Sequence, residues 1–193
     1  MSEFKFPTEE IELPSKGLIY SKDNPLSSGK VEIKYMTAKE EDILSNQSFI
    51  KKGTVLEKLL QSVIIDKDIK IDDLIIGDKN ALLIASRILG YGKDYKFEID
   101  GVEETVDLTT LEDTPFDPKT MIEGKNEFSF TVPSSGRIIT YKILTGRDEK
   151  AIEREIQGLK KLNKESSTET STRWKHIIQS VDGDTEKKQI REF

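Results

Sequence analysis

Two predicted β-hairpins in the middle of the chain constrain the fold more than any other feature of the sequence. The segment 95–108 has strand-like patterns on both sides of Asp100-Gly101, a dipeptide that favours a tight two-residue hairpin turn. The segment 127–144 is arranged in the same way around Pro133-Ser134-Ser135-Gly136, which predicts a second hairpin with a longer loop. We therefore expect the two hairpins to form an antiparallel sheet.

Helix signals on both sides of the hairpins predict a mixed α+β fold. Thr37 and Glu40 have the spacing of a capping box, in which each side chain satisfies a backbone amide at the start of a helix. Thr54 repeats the pattern with Glu57, and a stripe of leucine, valine and isoleucine at helical spacing follows. We expect a small cluster of helices here.

Two further helices are expected, one before the first hairpin and one after the second. Asp78 is placed to cap a helix over residues 79–89, and Gly90 fits a helix terminator. After the second hairpin, Ile152, Ile156 and Leu159 fall on one face of a helix.

The composition divides the chain into four predicted segments. Residues 1–29 are punctuated by proline and glycine and are expected to form an irregular, extended N-terminal arm. Residues 30–162 contain most of the helix and strand signals and are expected to form the α+β core domain. Residues 163–172 are rich in serine and threonine, which predicts a flexible polar linker. Residues 173–193 are expected to form a C-terminal helical segment.

The arm and the C-terminal segment both carry apolar side chains that must be covered. In the C-terminal segment, Trp174, Ile177, Ile178 and Val181 form an amphipathic helical stripe. The apolar side chains of either segment can pack on the core of their own domain or on a neighbouring chain. For the C-terminal stripe the core is the favoured alternative, because such stripes are ordinary core faces.

The residues that most enzymes and metal sites need are scarce in this chain. It has no cysteine and a single histidine, His176, so disulfides, cysteine nucleophiles, His-Cys zinc sites and multi-histidine iron or copper sites are excluded. The sequence contains neither a phosphate-binding loop nor a serine in a nucleophile elbow. A pair of catalytic carboxylates from distant positions stays open. We predict a non-enzymatic protein without a cofactor.

The negative charge of the chain is concentrated in its middle. The net charge is -6, and the stretch from Asp94 to Glu127 holds eleven acids and three bases. Such a surface repels a phosphate backbone, so nucleic-acid binding is not expected. The acidic stretch is either a solvated strand face or a docking surface for a basic partner. The longest uninterrupted apolar run is Ala81–Ala85, which predicts that no segment spans a membrane.

Several short motifs occur in an order that resembles a known family. Leu13-Pro14-Ser15-Lys16-Gly17 is followed by Met36-Thr37 with Glu40-Glu41, then by Gly90-Tyr91-Gly92, and finally by Leu144-Thr145-Gly146. In this combination the chain resembles the baseplate hub and hub-assembly proteins of T-even-type bacteriophages. Some members carry a Cys-x-x-Cys pair in the central hairpin, a place that Asp100-Gly101 occupies here.

The resemblance implies a structural or assembly role in the hub of a contractile phage tail. Its partners would be other baseplate hub or tail proteins. It would be found in the host cytoplasm during assembly and then in the tail baseplate of the virion. Two alternatives stay open: a tail assembly chaperone that is absent from the mature virion, and a hydrolase that uses unrecognised carboxylates.

The arm and the C-terminal stripe are the predicted partner-binding segments. A chain without residues 1–29 is expected, on this hypothesis, to fold and to lose its hub partners. The stripe would provide a second, helix-in-groove contact. The predicted contact residues are Phe4, Phe6, Leu13, Pro14, Ser15, Gly17, Tyr20, Trp174, Ile177 and Ile178.

Overall fold

The computed structural model describes residues 7–113, 122–162, 169–186 and 190. The described residues form six α-helices and three small antiparallel sheets, which confirms the predicted α+β class. They divide into two compact units that each draw on several stretches of the chain. The first unit takes its residues from Met1–Gly17, Asp23–Ile71 and Gly77–Phe116, and the second takes them from Leu18–Lys22, Asp72–Ile76 and Asp117–Phe193.

The first sheet includes part of the segment that we expected to be an irregular arm. Strand β1 (Thr8–Glu12) pairs antiparallel with β2 (Lys30–Lys34), from Thr8 opposite Lys34 to Glu12 opposite Lys30. The expectation of irregular structure was therefore wrong for these residues. Ile11 is the one apolar residue in β1, so the sequence of this strand shows no alternation of polar and apolar residues. The strand forms because it pairs with β2.

The loop that follows β1 is held in place by a buried serine. The Ser15 backbone amide donates to Asp78 Oδ1 at 3.0 Å, and Ser15 Oγ donates to Asp78 Oδ2 at 2.7 Å. Ser15 Oγ also accepts from the Gly17 amide at 3.2 Å. Gly17 has a φ of 75°, and a Cβ there would lie 2.5 Å from the carbonyl oxygen of Ser27. The loop thus depends on both a serine and a glycine.

We expect Ser15→Ala to destabilise the protein by about 2 kcal/mol. The substitution leaves a buried Asp78 oxygen and the Gly17 amide without their hydroxyl partner, and an unmade buried hydrogen bond costs about 1–3 kcal/mol. Urea unfolding should detect this loss. Ser21→Ala, an exposed serine, is the matched control and should change the stability by less than about 0.5 kcal/mol. Equal effects of the two substitutions would contradict the conclusion that the Ser15 hydroxyl holds this loop in place.

Four α-helices follow β2 along the chain. They are α1 (Ala38–Ser45), α2 (Gln47–Lys51), α3 (Val55–Val63) and α4 (Ile76–Tyr91). The capping box of Thr37 and Glu40 is formed at α1, as predicted. The second predicted box is not formed, because the side chain of Thr54 makes no capping hydrogen bond at α3.

Helix α4 is longer at both ends than the sequence indicated. It begins at Ile76, so Asp78 lies in its first turn and binds the Ser15 loop instead of capping the helix. Gly90 lies inside the helix, and a Cβ at this position would collide with the Met36 side chain. Gly92, with a φ of 85°, follows the last helical residue and fits the left-handed position of a helix terminator.

The first predicted hairpin is confirmed as β3 (Asp94–Ile99) and β4 (Val102–Asp107). Asp100 and Gly101 have φ values of 52° and 81°, as a turn of the primed type requires. These two strands make up a two-stranded sheet. The expectation that both hairpins share one sheet was therefore wrong, because the second hairpin lies in another unit and pairs with a different strand.

The second unit contains a three-stranded sheet and two helices. Strands β5 (Phe128–Thr131) and β6 (Ile138–Tyr141) form the second predicted hairpin, and β7 (Ile178–Val181) pairs with β6. Helix α5 (Gly146–Leu162) buries Ile152 and Ile156 against Leu144. Helix α6 (Glu169–Ile177) leads directly into β7.

The C-terminal part of the chain corrects two further predictions. The apolar stripe is not one helix, because the helix ends at Ile177 and the next four residues are a strand. The spacing of Ile178 and Val181 suits either structure, and pairing with β6 decides between them. Of the predicted linker, residues 163–168 lie outside the described residues, and residues 169–172 are helical. Within the described residues, no helix is both long and apolar enough to cross a membrane.

Candidate functional site

The predicted contact residues of the arm are mostly buried in the fold of this chain. Leu13, Ser15 and Tyr20 are 2%, 1% and 7% exposed, and Gly17 is also buried. Tyr20 Oη accepts a hydrogen bond from the backbone amide of Ile75 at 3.1 Å. Burial inside the protein leaves these side chains little surface for a partner, so the structure does not support the predicted contact through them. Pro14 is half-buried, and Phe4 and Phe6 lie outside the described residues.

The C-terminal contact residues have three different environments. Ile178 belongs to a buried cluster with Ile139 and Val181, so it serves the core. Ile177 is partly buried and packs against the cluster that includes Leu144. Trp174 is 55% exposed, and it alone of these three presents a large apolar surface to solvent. Core packing, the favoured alternative, is correct for Ile178 and in part for Ile177.

An apolar groove of about 1060 Å³ lies beside Trp174 in the second unit. One wall is a face of the sheet, where Phe130 of β5 is directly opposite Ile139 of β6. Tyr141 lies on the same face, with its ring 5.4 Å from that of Phe128. The other wall comes from the two helices. It includes Leu159, Trp174 and Ile177, and Ile178 and Ile190 also line the groove.

Ion pairs join the two helices that form this wall. Lys175 and His176 of α6 both contact Glu155 of α5. The distance from His176 Nε2 to Glu155 Oε2 is 3.1 Å. The hydrogen bond from Lys175 is the main reason why the pKa of Glu155 is below its ordinary value, and that from His176 adds to it. Arg173 donates to Glu149 at 2.8 Å. These contacts fix the position of α6 on α5 and hence of Trp174 at the groove.

The groove presents aromatic surface without burying it. Phe130 is 50% exposed, nearly as much as Trp174. Contiguous exposed apolar surface with a polar rim is typical of a binding site, and tryptophan and tyrosine are enriched among residues that dominate binding energy. Phe130 was missed from the sequence, since alternation along β5 shows which residues share a face but not whether that face is covered.

A second, polar hollow of about 740 Å³ lies around Glu127, Lys142, His176 and Ser180. Ser180 Oγ is 2.7 Å from Thr140 Oγ1. The imidazole of His176 contacts Glu155, which is already paired with Lys175. These contacts join the strands and helices of the unit to one another.

Among the described residues, the carboxylates whose pKa departs from its ordinary value give no support to the hydrolase alternative. Burial alone would raise the pKa of Glu40 and Asp148, yet hydrogen bonds from lysine, hydroxyl and backbone donors lower both. The pKa values of Asp107, Glu155 and Asp182 are also lowered, chiefly by hydrogen bonds from Lys93, Lys175 and Arg137. A general acid requires the opposite direction. Among these residues, no group of three histidine or acidic side chains is placed to hold a metal ion.

Comparison with known proteins adds no relative: no protein-family model, no curated protein and no solved structure matches the chain.

Proposed function

We propose that this protein is a structural or assembly component of the baseplate hub of a contractile-tailed phage, and that it acts by binding other hub or tail proteins. The ordered motifs from Leu13-Pro14-Ser15-Lys16-Gly17 to Leu144-Thr145-Gly146 support the phage assignment. The apolar groove with half-exposed Trp174 and Phe130 supports the binding role and carries this proposal.

The groove fits the apolar face of an amphipathic helix from a hub protein. Most of its lining is aliphatic or aromatic, as in known helix-in-groove sites. Lys175 and Glu155 provide one charge of each sign at the lining. A partner helix with apolar residues three and four positions apart would cover Trp174 and Phe130 together.

We expect Trp174→Ala to weaken binding of the hub partner by about 30-fold or more, which corresponds to the loss of about 2 kcal/mol that defines a dominant contact. Phe130→Ala should act in the same direction. Both side chains are about half exposed, so the fold should persist. Partners would first be identified by pull-down from infected cells, and affinity would then be measured with the purified partner by calorimetry.

Ile50→Ala is the matched control, because Ile50 is an exposed apolar residue in the other unit. It should leave the affinity unchanged. If Trp174→Ala and Phe130→Ala bind the hub partner as tightly as the unmodified chain, the groove is not the binding site.

Mass spectrometry of purified virions tests where the protein acts. A component of the hub should be present in the mature tail, and we expect to find it there after assembly in the host cytoplasm. Its absence from virions, combined with binding to a hub protein in infected cells, would replace the structural role with that of an assembly chaperone.

A further inference from the structure

The β3–β4 hairpin has an apolar face that the described part of the chain leaves open. Residues directly opposite each other on the two strands share a face, and here these pairs include Tyr95 with Val106 and Ile99 with Val102. Ile99 and Val102 are 56% and 57% exposed, and Tyr95 is 45% exposed. Contiguous exposed apolar surface marks interaction sites, so this face is suited to a partner.

The base of the hairpin is fixed, which makes the face a preformed surface. The Leu108 amide donates to the Lys93 carbonyl at 2.9 Å, and Lys93 Nζ donates to Asp107 at 2.6 Å. The Arg87 guanidinium at the end of α4 lies 5.8 Å from the centre of the Tyr95 ring. The Phe97 ring stacks at 6.0 Å from Tyr95. These contacts order the strands before any partner arrives.

One carboxylate lies within the apolar face and limits what can cover it. Glu104 is directly opposite Phe97, so its side chain is on the same face. Within the described part of the chain, the Glu104 carboxylate has no hydrogen-bond or ion-pair partner, and it is exposed. A partner that covered this face without a cation would bury an unpaired charge, which is strongly unfavourable.

The charge around the face agrees with this requirement. Between Asp94 and Asp107 the chain has six acids and one base, and that base, Lys96, is 3.1 Å from Glu103. A second copy of the same hairpin would bring the same excess of negative charge. Nucleic acid and an anionic lipid surface are disfavoured for the same reason.

We propose that the apolar face of the β3–β4 hairpin docks a basic segment of another protein. Apolar side chains of this segment pack on Tyr95, Phe97, Ile99 and Val102, while a lysine or arginine pairs with Glu104. The site consists of different residues from the groove and does not rest on it.

The test uses the full-length chain and two short synthetic peptides, one alternating lysine with valine and one in which glutamate replaces lysine. Nuclear magnetic resonance titration should show saturable shifts of backbone amides in residues 94–107 with the lysine peptide and not with the glutamate peptide. Glu104→Lys, and separately Ile99→Ser with Val102→Ser, should weaken binding by about tenfold or more. These side chains are exposed, so the fold should be kept.

The controls separate this surface from other acidic and apolar sites. Asp42→Lys reverses an exposed acid on α1 and should bind the lysine peptide normally, as should Trp174→Ala. Binding of both peptides alike, shifts that map elsewhere, or no binding would each overturn the proposal. Concentration-dependent shifts of residues 94–107 without peptide would also overturn it, because a second copy would then cover the face.

Discussion

A chain that lacks residues 1–29 is expected to be unfolded or aggregated, and not to be a folded domain without a binding arm. The deleted segment contains Leu13, Ile19, Tyr20 and Leu26, which are between 0% and 7% exposed. Burial of one such side chain contributes roughly 1.5–3 kcal/mol, so the four together approach the whole stability of an ordinary domain. The deletion also removes β1 and leaves the edge of β2 unpaired.

Circular dichroism and size-exclusion chromatography of the truncated protein measure this effect. The matched control removes residues 1–6 only, which keeps Pro7 and the whole of β1. We expect this shorter deletion to fold, and it isolates the predicted partner contacts of Phe4 and Phe6. A monomeric, cooperatively unfolding product of the longer deletion would restore the hypothesis of a detachable arm.

Local signals in the sequence predicted structure where the cause of the structure is local. The Asp100-Gly101 turn requires two residues that tolerate positive φ, and those residues are adjacent in the chain. The capping box needs Thr37 and Glu40, which are three residues apart. The face of α5 was predicted because helical spacing brings Ile152 and Ile156 together.

Long-range pairing was hidden because no local pattern encodes it. Ser15 and Asp78 are 63 positions apart, so the loop motif and the helix signal read as unrelated features. Ile178 and Val181 fit a helix or a strand, and the free edge of β6 determines which forms. Of the residues that line the groove, Trp174, Ile177 and Ile178 were predicted as contact residues. Phe130 was not, since its exposure depends on what packs near β5 and not on its own strand.

The side chain of Glu40 combines a local motif with a long-range one. Glu40 is fully buried, and its Oε2 accepts from the Thr37 amide at 2.8 Å and the Thr37 hydroxyl at 2.6 Å. Its Oε1 accepts from Lys34 Nζ at 2.7 Å and from the hydroxyl of Ser62. A single carboxylate therefore joins β2, the start of α1 and α3.

We expect Glu40→Gln to destabilise the first unit by about 3–5 kcal/mol at neutral pH, the usual cost of removing one partner of a buried ion pair. The amide has the same shape, but its NH₂ group would face donors, and the ion pair between Lys34 and the Glu40 carboxylate would be lost. Urea unfolding and hydrogen exchange of amides in α1 and α3 measure the loss. Asp42→Asn, which neutralises an exposed acid on the same helix, should cost less than about 0.5 kcal/mol.

The effect of Glu40→Gln should depend on pH in a defined direction. Burial raises the pKa of Glu40, but the hydrogen bonds from Lys34, Ser62 and Thr37 outweigh it and lower the pKa to about 2 from an ordinary 4.5. The folded state therefore holds its proton less tightly than the unfolded state, and ionisation contributes about 3 kcal/mol of stability above the unfolded pKa. This contribution is lost as the pH falls from about 5 towards about 2.

The stability difference between the unmodified chain and Glu40→Gln should accordingly be full at about pH 7 and shrink as the pH falls below about 5. Asp42→Asn is the control and should differ from the unmodified chain by less than about 0.5 kcal/mol. A difference that stays constant down to about pH 3 would mean that the shape of the side chain, and not its charge, holds β2, α1 and α3 together.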